Sequence, residues 1–479
     1  MLNKPSPPFL MYTQVGVIAG ILTAWILLNQ EAVDAGRIVQ LSCIFLLIHF
    51  VWVLYSWKKT GSELFSPYPL FAASVFVFNA GQAFLEVFGL NRGGLLGGQI
   101  PESILAQTLL LVLYATSIIH FGALFALRSK VRRKPDAMSY VSSVTLRQVA
   151  FILFIVALIP SLIVARRSIS LVTIGGYGAL YQAESGTGFS AAPAVLSGFL
   201  MPSGFLLLAG SGRNRWSRLF ACTLIGSYVL LQLFIGFRGT AVVVLMVFLW
   251  LWHRTIRRLP KLVPILGLAI AVLILPVLGL TRSISGPERI SLSVLKETFA
   301  GIDNPTVALL SEMGGSMLAP AYTILLVPSQ HAYELGMSYV YAAFSLFPNL
   351  FWAVHPSVAH SPSQWLVNSA ASATARAGGG LGYSVIAEAY LNFGFIGAGA
   401  PMLLLGWGVG RLSRWAEMSH THWKLCLAAI ALVPLLIYGR AEAGNVLRGI
   451  VWYTATSYFM IRFWPKRSIV GDNTYRRRT

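Results

Sequence analysis

Acidic residues are scarce: 16 Asp and Glu stand against 36 Lys and Arg, and charged residues of both signs make up only 11% of the 479. A chain so poor in charge, 56% hydrophobic and with a mean hydropathy of +0.69, is excluded from ordinary soluble composition and belongs with membrane spans. Cysteine is nearly absent too. Cys43, Cys222 and Cys426 all lie inside apolar runs, so they form no extracellular disulfide framework and serve packing. No CxxC pair, HExxH, Walker loop or GxGxxG after a strand occurs, and no DxD-like acidic cluster stands out. These absences argue against a zinc site, an ATP motor and a dinucleotide fold, and no metal or cofactor is expected. The first apolar run begins near Phe9 without a small-residue cleavage site and reads as a retained helix.

What the chain has in abundance is apolar runs long enough to cross about 30 Å of hydrocarbon, which takes roughly 20 residues. Helices are expected at 10–29, 37–57, 67–90, 103–127, 148–165, 191–211, 219–237, 240–253, 262–281, 381–409, 422–438 and 446–464. The expected fold is therefore all-α, a single polytopic bundle over 1–479 with about twelve transmembrane helices. The basic clusters Lys58-Lys59, Arg128 through Lys134, Arg213-Arg215-Arg218, Arg254 through Lys261, Arg411-Arg414 and Arg462 through Arg467 fall on alternate breaks, as cytoplasmic loops require. Both termini are then cytoplasmic. About 25 basic residues face about 4 acids on that side, and about 11 face about 12 on the other. The net charge of +20 thus sorts by side of the membrane, and the tail Arg476-Arg477-Arg478 reads as a topogenic or anionic-lipid contact, not a nucleic-acid site.

One connection is long. About 100 residues, 282–380, lie on the outer side, and loops of that length are usually functional. Met317 to Val327 and Met337 to Val354 are apolar but short or interrupted by proline, as interfacial or re-entrant helices of a lid would be.

Against the topogenic bias, Arg238 in IGFRGT, Arg282 after the ninth helix, Arg440 in YGRAEAG and Arg448 stand at membrane-entry positions on the outer face. Guanidinium forks match phosphate oxygens, so a phosphate or pyrophosphate is a natural counter-ion. Salt bridges to Glu442 or Glu388 are the structural alternative. Glycines cluster beside these arginines: Gly236 and Gly239, Gly439 and Gly444, and Gly378-Gly379-Gly380. They let backbone approach a ligand and break helices at membrane depth.

Three segments carry a resemblance: IGFRGTAVVVLMVFLWLW, GLGYSVIAEAYLNFGFIGAG with its Glu-x-Tyr-x-Asn-Phe-Gly helix, and YGRAEAGNVLRGIVW. With the late outer loop, they make the chain resemble the Wzy-type O-antigen and surface-polysaccharide repeat-unit polymerases of the bacterial inner membrane. The resemblance implies transfer of a growing glycan from undecaprenyl pyrophosphate to the non-reducing end of a fresh lipid-linked repeat at the periplasmic face. A chain-length-regulating co-polymerase is a further implied partner, beside membrane lipids. An O-antigen ligase would share much of this topology; a lipid-linked oligosaccharide flippase or secondary transporter predicts internal repeats, and none is visible.

In such a transfer the protein neutralises the leaving pyrophosphate, orients the acceptor hydroxyl and accepts its proton. Arg238, Arg440 and Arg448 are expected on the pyrophosphate, with Arg282 and Arg376 as second contacts, and no metal is needed. The inverting outcome is that of direct displacement. Glu388, His360 and Glu442 are the candidate bases. Asn392 lies one turn beyond Glu388 on the same face and Tyr390 points elsewhere, both being candidate glycan contacts. Tyr177, Tyr181, Trp352 and Trp365 could stack on sugars or belong to the interfacial belt.

Overall fold

A computed structural model describes residues 7–128, 141–182 and 192–464, apart from 261, 283, 285, 287–290, 348, 350–351 and 377–378. Parts of the basic clusters (129–134, 261 and 466–467), the tail Arg476-Arg477-Arg478 and Gly378 lie outside the described residues.

Helix is the regular structure throughout the described residues. The first nine helices are α1 (Pro7–Asn29), α2 (Ala35–Lys59), α3 (Pro67–Val87), α4 (Glu102–Arg128), α5 (Ser143–Gly175), α6 (Ala192–Ala209), α7 (Arg215–Ile235), α8 (Arg238–Thr255) and α9 (Leu262–Thr281). Their ends obey local chemistry. Asp34 caps α2, Ser142 caps α5 and Asn214 caps α7, each accepting a backbone N–H of the first turn. Pro67 opens α3, where no donor is lost. Gly236, at φ 109°, closes α7 in the left-handed conformation and allows α8 to begin two residues later.

The long segment contributes α10 (Leu292–Ala300), α11 (Pro305–Gly314), α12 (Leu318–Leu326), α13 (Met337–Phe344) and α14 (Pro362–Ala370), with short turns Pro356–Ala359 and Ser372–Arg376. It is followed by α15 (Val385–Gly397), α16 (Gly399–Glu417), α17 (His422–Tyr438), α18 (Ala443–Arg448) and α19 (Thr454–Phe463).

The chain is a polytopic helical membrane protein, with fewer full-length spans than the twelve expected. Among the described residues eight helices are long and apolar enough to cross, or nine if one bent pair counts as a span. The bent pair is the expected helix 381–409: α15 and α16 meet at 118°, and Gly394 inside α15 adopts φ 67°. The helix α8 carries arginine near both ends, which shortens its apolar stretch. With 17 residues α17 spans only about 26 Å, but most of its side chains are enclosed by neighbouring helices. The expected helix 446–464 divides into α18, a π-helical turn Gly449–Tyr453 and α19.

The core sits on α4, which is enclosed by α1, α2, α3 and α16. Its crossing with α16 is a small-residue contact: a Cβ at Gly406 would lie 2.0 Å from the Ile119 carbonyl oxygen, and one at Gly122 would lie 2.5 Å from that of Leu403. Within the first four helices a polar network is buried. The Tyr68 hydroxyl lies 2.7 Å from His120 Nδ1, and His120 Nε2 lies 2.7 Å from Ser56 Oγ. Trp52 donates to Gln14 at 3.0 Å. Each of these groups is paired, so the network joins helices without stranding a polar atom. By contrast α5, α7 and α9 turn most of their apolar surface outward, as lipid-facing helices do.

Candidate functional site

Three of the five expected arginines meet. Arg238 opens α8, Arg282 follows α9 and Arg440 follows α17; the first two pair with one carboxylate, Glu312 of α11, whose charge also acts on the third. Arg238 is 8% exposed and forms a two-pronged pair with Glu312, Nη1 donating to Oε2 at 3.1 Å and Nη2 to Oε1. Its Nη1 also donates to the Leu275 carbonyl. Arg282 Nη2 lies 3.7 Å from Glu312 Oε1, and its guanidinium sits 4.8 Å from the Tyr177 ring. Tyr177 in turn hydrogen-bonds Tyr181 at 2.8 Å, and the charges of Arg282 and Arg440 act on Tyr181.

Glu312 reaches the cluster because α11 docks on α3 backbone to backbone. A Cβ at Gly314 would lie 2.5 Å from Gln82 N, and one at Gly81 would lie 3.0 Å from the Leu310 carbonyl. Gly279 is equally constrained, since a Cβ there would be 2.3 Å from Arg238 Nη1.

Arg440 differs from the other two. It packs over Phe78 at 5.9 Å and, among the described residues, its side chain has no hydrogen bond or ion pair. Burial pulls its pKa below the usual guanidinium value, Glu312 and Tyr177 counteract this, and Arg282 and Arg238 add to it. Beside it stands Gly382, at φ 72°, where a Cβ would lie 3.2 Å from Arg440 Nε and 3.3 Å from Ser316 Oγ. Ser316 Oγ is buried without a partner, and so is Arg238 Nε. Three guanidiniums against one carboxylate leave two positive charges, together with donors that no protein group satisfies. Such a place is chemically suited to a multiply charged oxyanion.

Other expected residues lie elsewhere. Arg448 is exposed at the end of α18, where its charge acts on Tyr453, and Arg376 is exposed on Ser372–Arg376. Neither arginine pairs with Glu388 or Glu442. Glu388 is fully buried and its two oxygens are engaged: Oε1 accepts from Ser338 Oγ at 3.1 Å, and Oε2 accepts from Ala443 N at 2.8 Å and the Tyr438 hydroxyl at 3.4 Å. Glu442 accepts from Ser361 Oγ at 3.0 Å and Ser363 N at 2.8 Å, which ties it to the first turn of α14. His360 is exposed and stacks on Tyr341 at 4.0 Å.

Asn392 does lie on the face of Glu388, and the pair builds a seat for the chain before α13. Asn392 Nδ2 donates to Ser338 Oγ and to the Glu388 carbonyl, both at 2.7 Å, while its Oδ1 accepts from Gly336 N at 2.8 Å. The break at Gly394 releases the Leu391 and Asn392 carbonyls from the helix, and Glu334 N and Leu335 N donate to them, each at 3.1 Å. Tyr390 points away, donating to the Val327 carbonyl at 3.4 Å.

Sequence reasoning missed Glu312, Ser316 and Gly382. Asn304-Pro305 announces a helix start and Gly314-Gly315 its end, but no spacing announces which arginines that helix will face. Among the described residues, no group of three or more His, Cys, Asp or Glu side chains is gathered as a metal site requires.

A polytopic helical membrane protein with a cluster of arginines about one carboxylate is the class that fold and site define. Within that class, the family model for O-antigen polysaccharide polymerase Wzy matches residues 10–468, and the chain belongs to that family. No curated protein and no solved structure matches the chain.

Proposed function

We propose that this polymerase transfers a growing glycan from undecaprenyl pyrophosphate to the non-reducing end of a new lipid-linked repeat unit, at the periplasmic face of the bacterial inner membrane. The observation that carries the reading is the pairing of Arg238 and Arg282 with the single acid Glu312, beside an Arg440 that its charge reaches but does not pair. These arginines hold the pyrophosphate and take up the charge that develops as it leaves, the role otherwise filled by a metal, so the transfer is metal-independent. Ser316 and the cramped backbone at Gly382 complete the cradle.

Two further features support the assignment. The helix α9 runs from Arg282 with a largely outward-facing apolar surface, along which an isoprenoid chain can lie in the bilayer. The segment 282–380 contributes Glu312 to the cluster and Ser338 to the Glu388 seat, so it acts as a lid that bears part of the site. Direct attack of the acceptor hydroxyl on the anomeric carbon inverts its configuration, and a co-polymerase sets chain length from outside this chain.

The test is reconstitution of the purified protein with one lipid-linked oligosaccharide repeat, without nucleotide sugar or added metal, and resolution of the products by gel. A ladder of multiples with inverted linkages is expected. Vectorial movement of the lipid without a ladder would replace this reading with transport, and retained anomeric configuration would exclude single displacement.

A further inference from the structure

Beside the arginine cradle, the residue following Gly382 enters a second polar region. Tyr383 is 2% exposed and its hydroxyl is buried without a partner, within electrostatic reach of Glu388, Glu442 and Glu334. Glu388 and Glu442 have their oxygens occupied by Ser338, Ala443, Ser361 and Ser363. Glu334 does not. One of its oxygens, Oε2, is buried without a hydrogen bond, and the other lies 3.6 Å from His331 Nε2. The two side chains remain 21% and 35% exposed, so a substrate can reach them, and the His331 ring lies 4.5 Å from that of Trp365.

Glu334 is also held in place. Its backbone N–H and that of Leu335 bond the carbonyls released by the Gly394 break, and Gly336 is fixed by Asn392. A base works only from a fixed position near the proton it takes, and here the family's Glu-x-Tyr-x-Asn-Phe-Gly helix provides the fixing.

We propose that Glu334, paired with His331, is the base that removes the proton of the acceptor hydroxyl, with the Tyr383 hydroxyl as a further contact to that acceptor sugar. The inference rests on the polymerase reading. In the step, the acceptor oxygen bonds to the donor's anomeric carbon and the bond from that carbon to pyrophosphate breaks. The electron pair stays on the pyrophosphate beside the arginines. The hydroxyl proton passes to Glu334 and then to water. Burial raises the Glu334 pKa above the ordinary carboxylate value, bringing it closer to working pH, while His331 and His360 pull it back. The titratable groups that face it are His331, His360 and Tyr383.

The experiment measures chain extension by the reconstituted full-length protein against pH for wild type, Glu334→Gln, Glu334→Asp and His331→Gln. Glu334→Gln is expected to lower kcat by roughly 10²- to 10⁴-fold with KM and thermal unfolding unchanged, and Glu334→Asp to recover part of the loss. Wild-type activity falls as pH drops through the Glu334 pKa. Replacing His331, whose effect on Glu334 is to lower its pKa, moves that acid limb to higher pH. Wild-type kcat in a folded Glu334→Gln overturns the assignment. If that variant fails to fold, an acid limb that stays in place in His331→Gln overturns it instead. A wild-type protein that makes no ladder at all defeats the polymerase reading, whereas a ladder indifferent to Glu334 defeats only this inference.

Discussion

Replacing Arg440 by alanine separates binding from stability, because Arg440 supports little of the fold. Its side chain has no ion pair or hydrogen bond among the described residues, and its stacking on Phe78, at 5.9 Å, is worth about 0.5 to 1 kcal/mol. Against that loss and the lost attraction to Glu312, the variant relieves a desolvated charge and its repulsion with Arg282 and Arg238. The net stability change should therefore stay within about 1 kcal/mol. Substrate loses more. One charge-assisted bond to a pyrophosphate oxygen is worth about 1.5 to 3 kcal/mol. At about 1.4 kcal/mol per factor of ten, its loss lowers kcat/KM by roughly 10- to 150-fold. The assay pairs initial rates of ladder formation in proteoliposomes with thermal unfolding followed by tryptophan fluorescence. A folded Arg440→Ala that extends chains at the wild-type rate would refute the cradle. So would a loss of rate that merely follows a loss of folded protein.

Arg238→Ala should behave in the opposite way, destabilising by about 3 kcal/mol or more, because it leaves Glu312 half-buried with only Arg282 at 3.7 Å; Arg238→Ala with Glu312→Gln should recover much of the stability and none of the activity. The same melting and ladder assays report both. Asn392→Ala strands Gly336 N and loosens the Glu334 segment, at about 1 to 3 kcal/mol, and faster proteolytic cleavage between 328 and 336 is the expected readout. Tyr68→Phe leaves His120 Nδ1 without its partner and should lower the melting temperature at a cost of about 1 to 3 kcal/mol, with chain extension by the folded fraction unchanged.

The sequence by itself determined the membrane class, the helical content and the family, because apolar run length and charge distribution are local quantities that survive without a fold. Each of the twelve expected segments is helical, and the shortage of acids already implied that some arginines would lack a carboxylate. Spans were harder to count, since a hydropathy window cannot register the 118° turn between α15 and α16. Membership of the arginine cluster was decided by tertiary structure alone. Arg238 and Arg282 come from separate helix ends and share Glu312, with Arg440 within reach of its charge, only because Gly81 and Gly314 let α11 press against α3. Arg448, eight residues beyond Arg440 and an equally good candidate in one dimension, is exposed beyond the intervening α18. Likewise Glu388, which stood out as a lone acid in an apolar helix, is consumed by hydrogen bonds. Glu334 is made available by backbone bonds to a helix more than fifty residues away. Charge and hydropathy are written along the chain; which charges share a space depends on how closely backbones approach, and that is settled only when the helices pack.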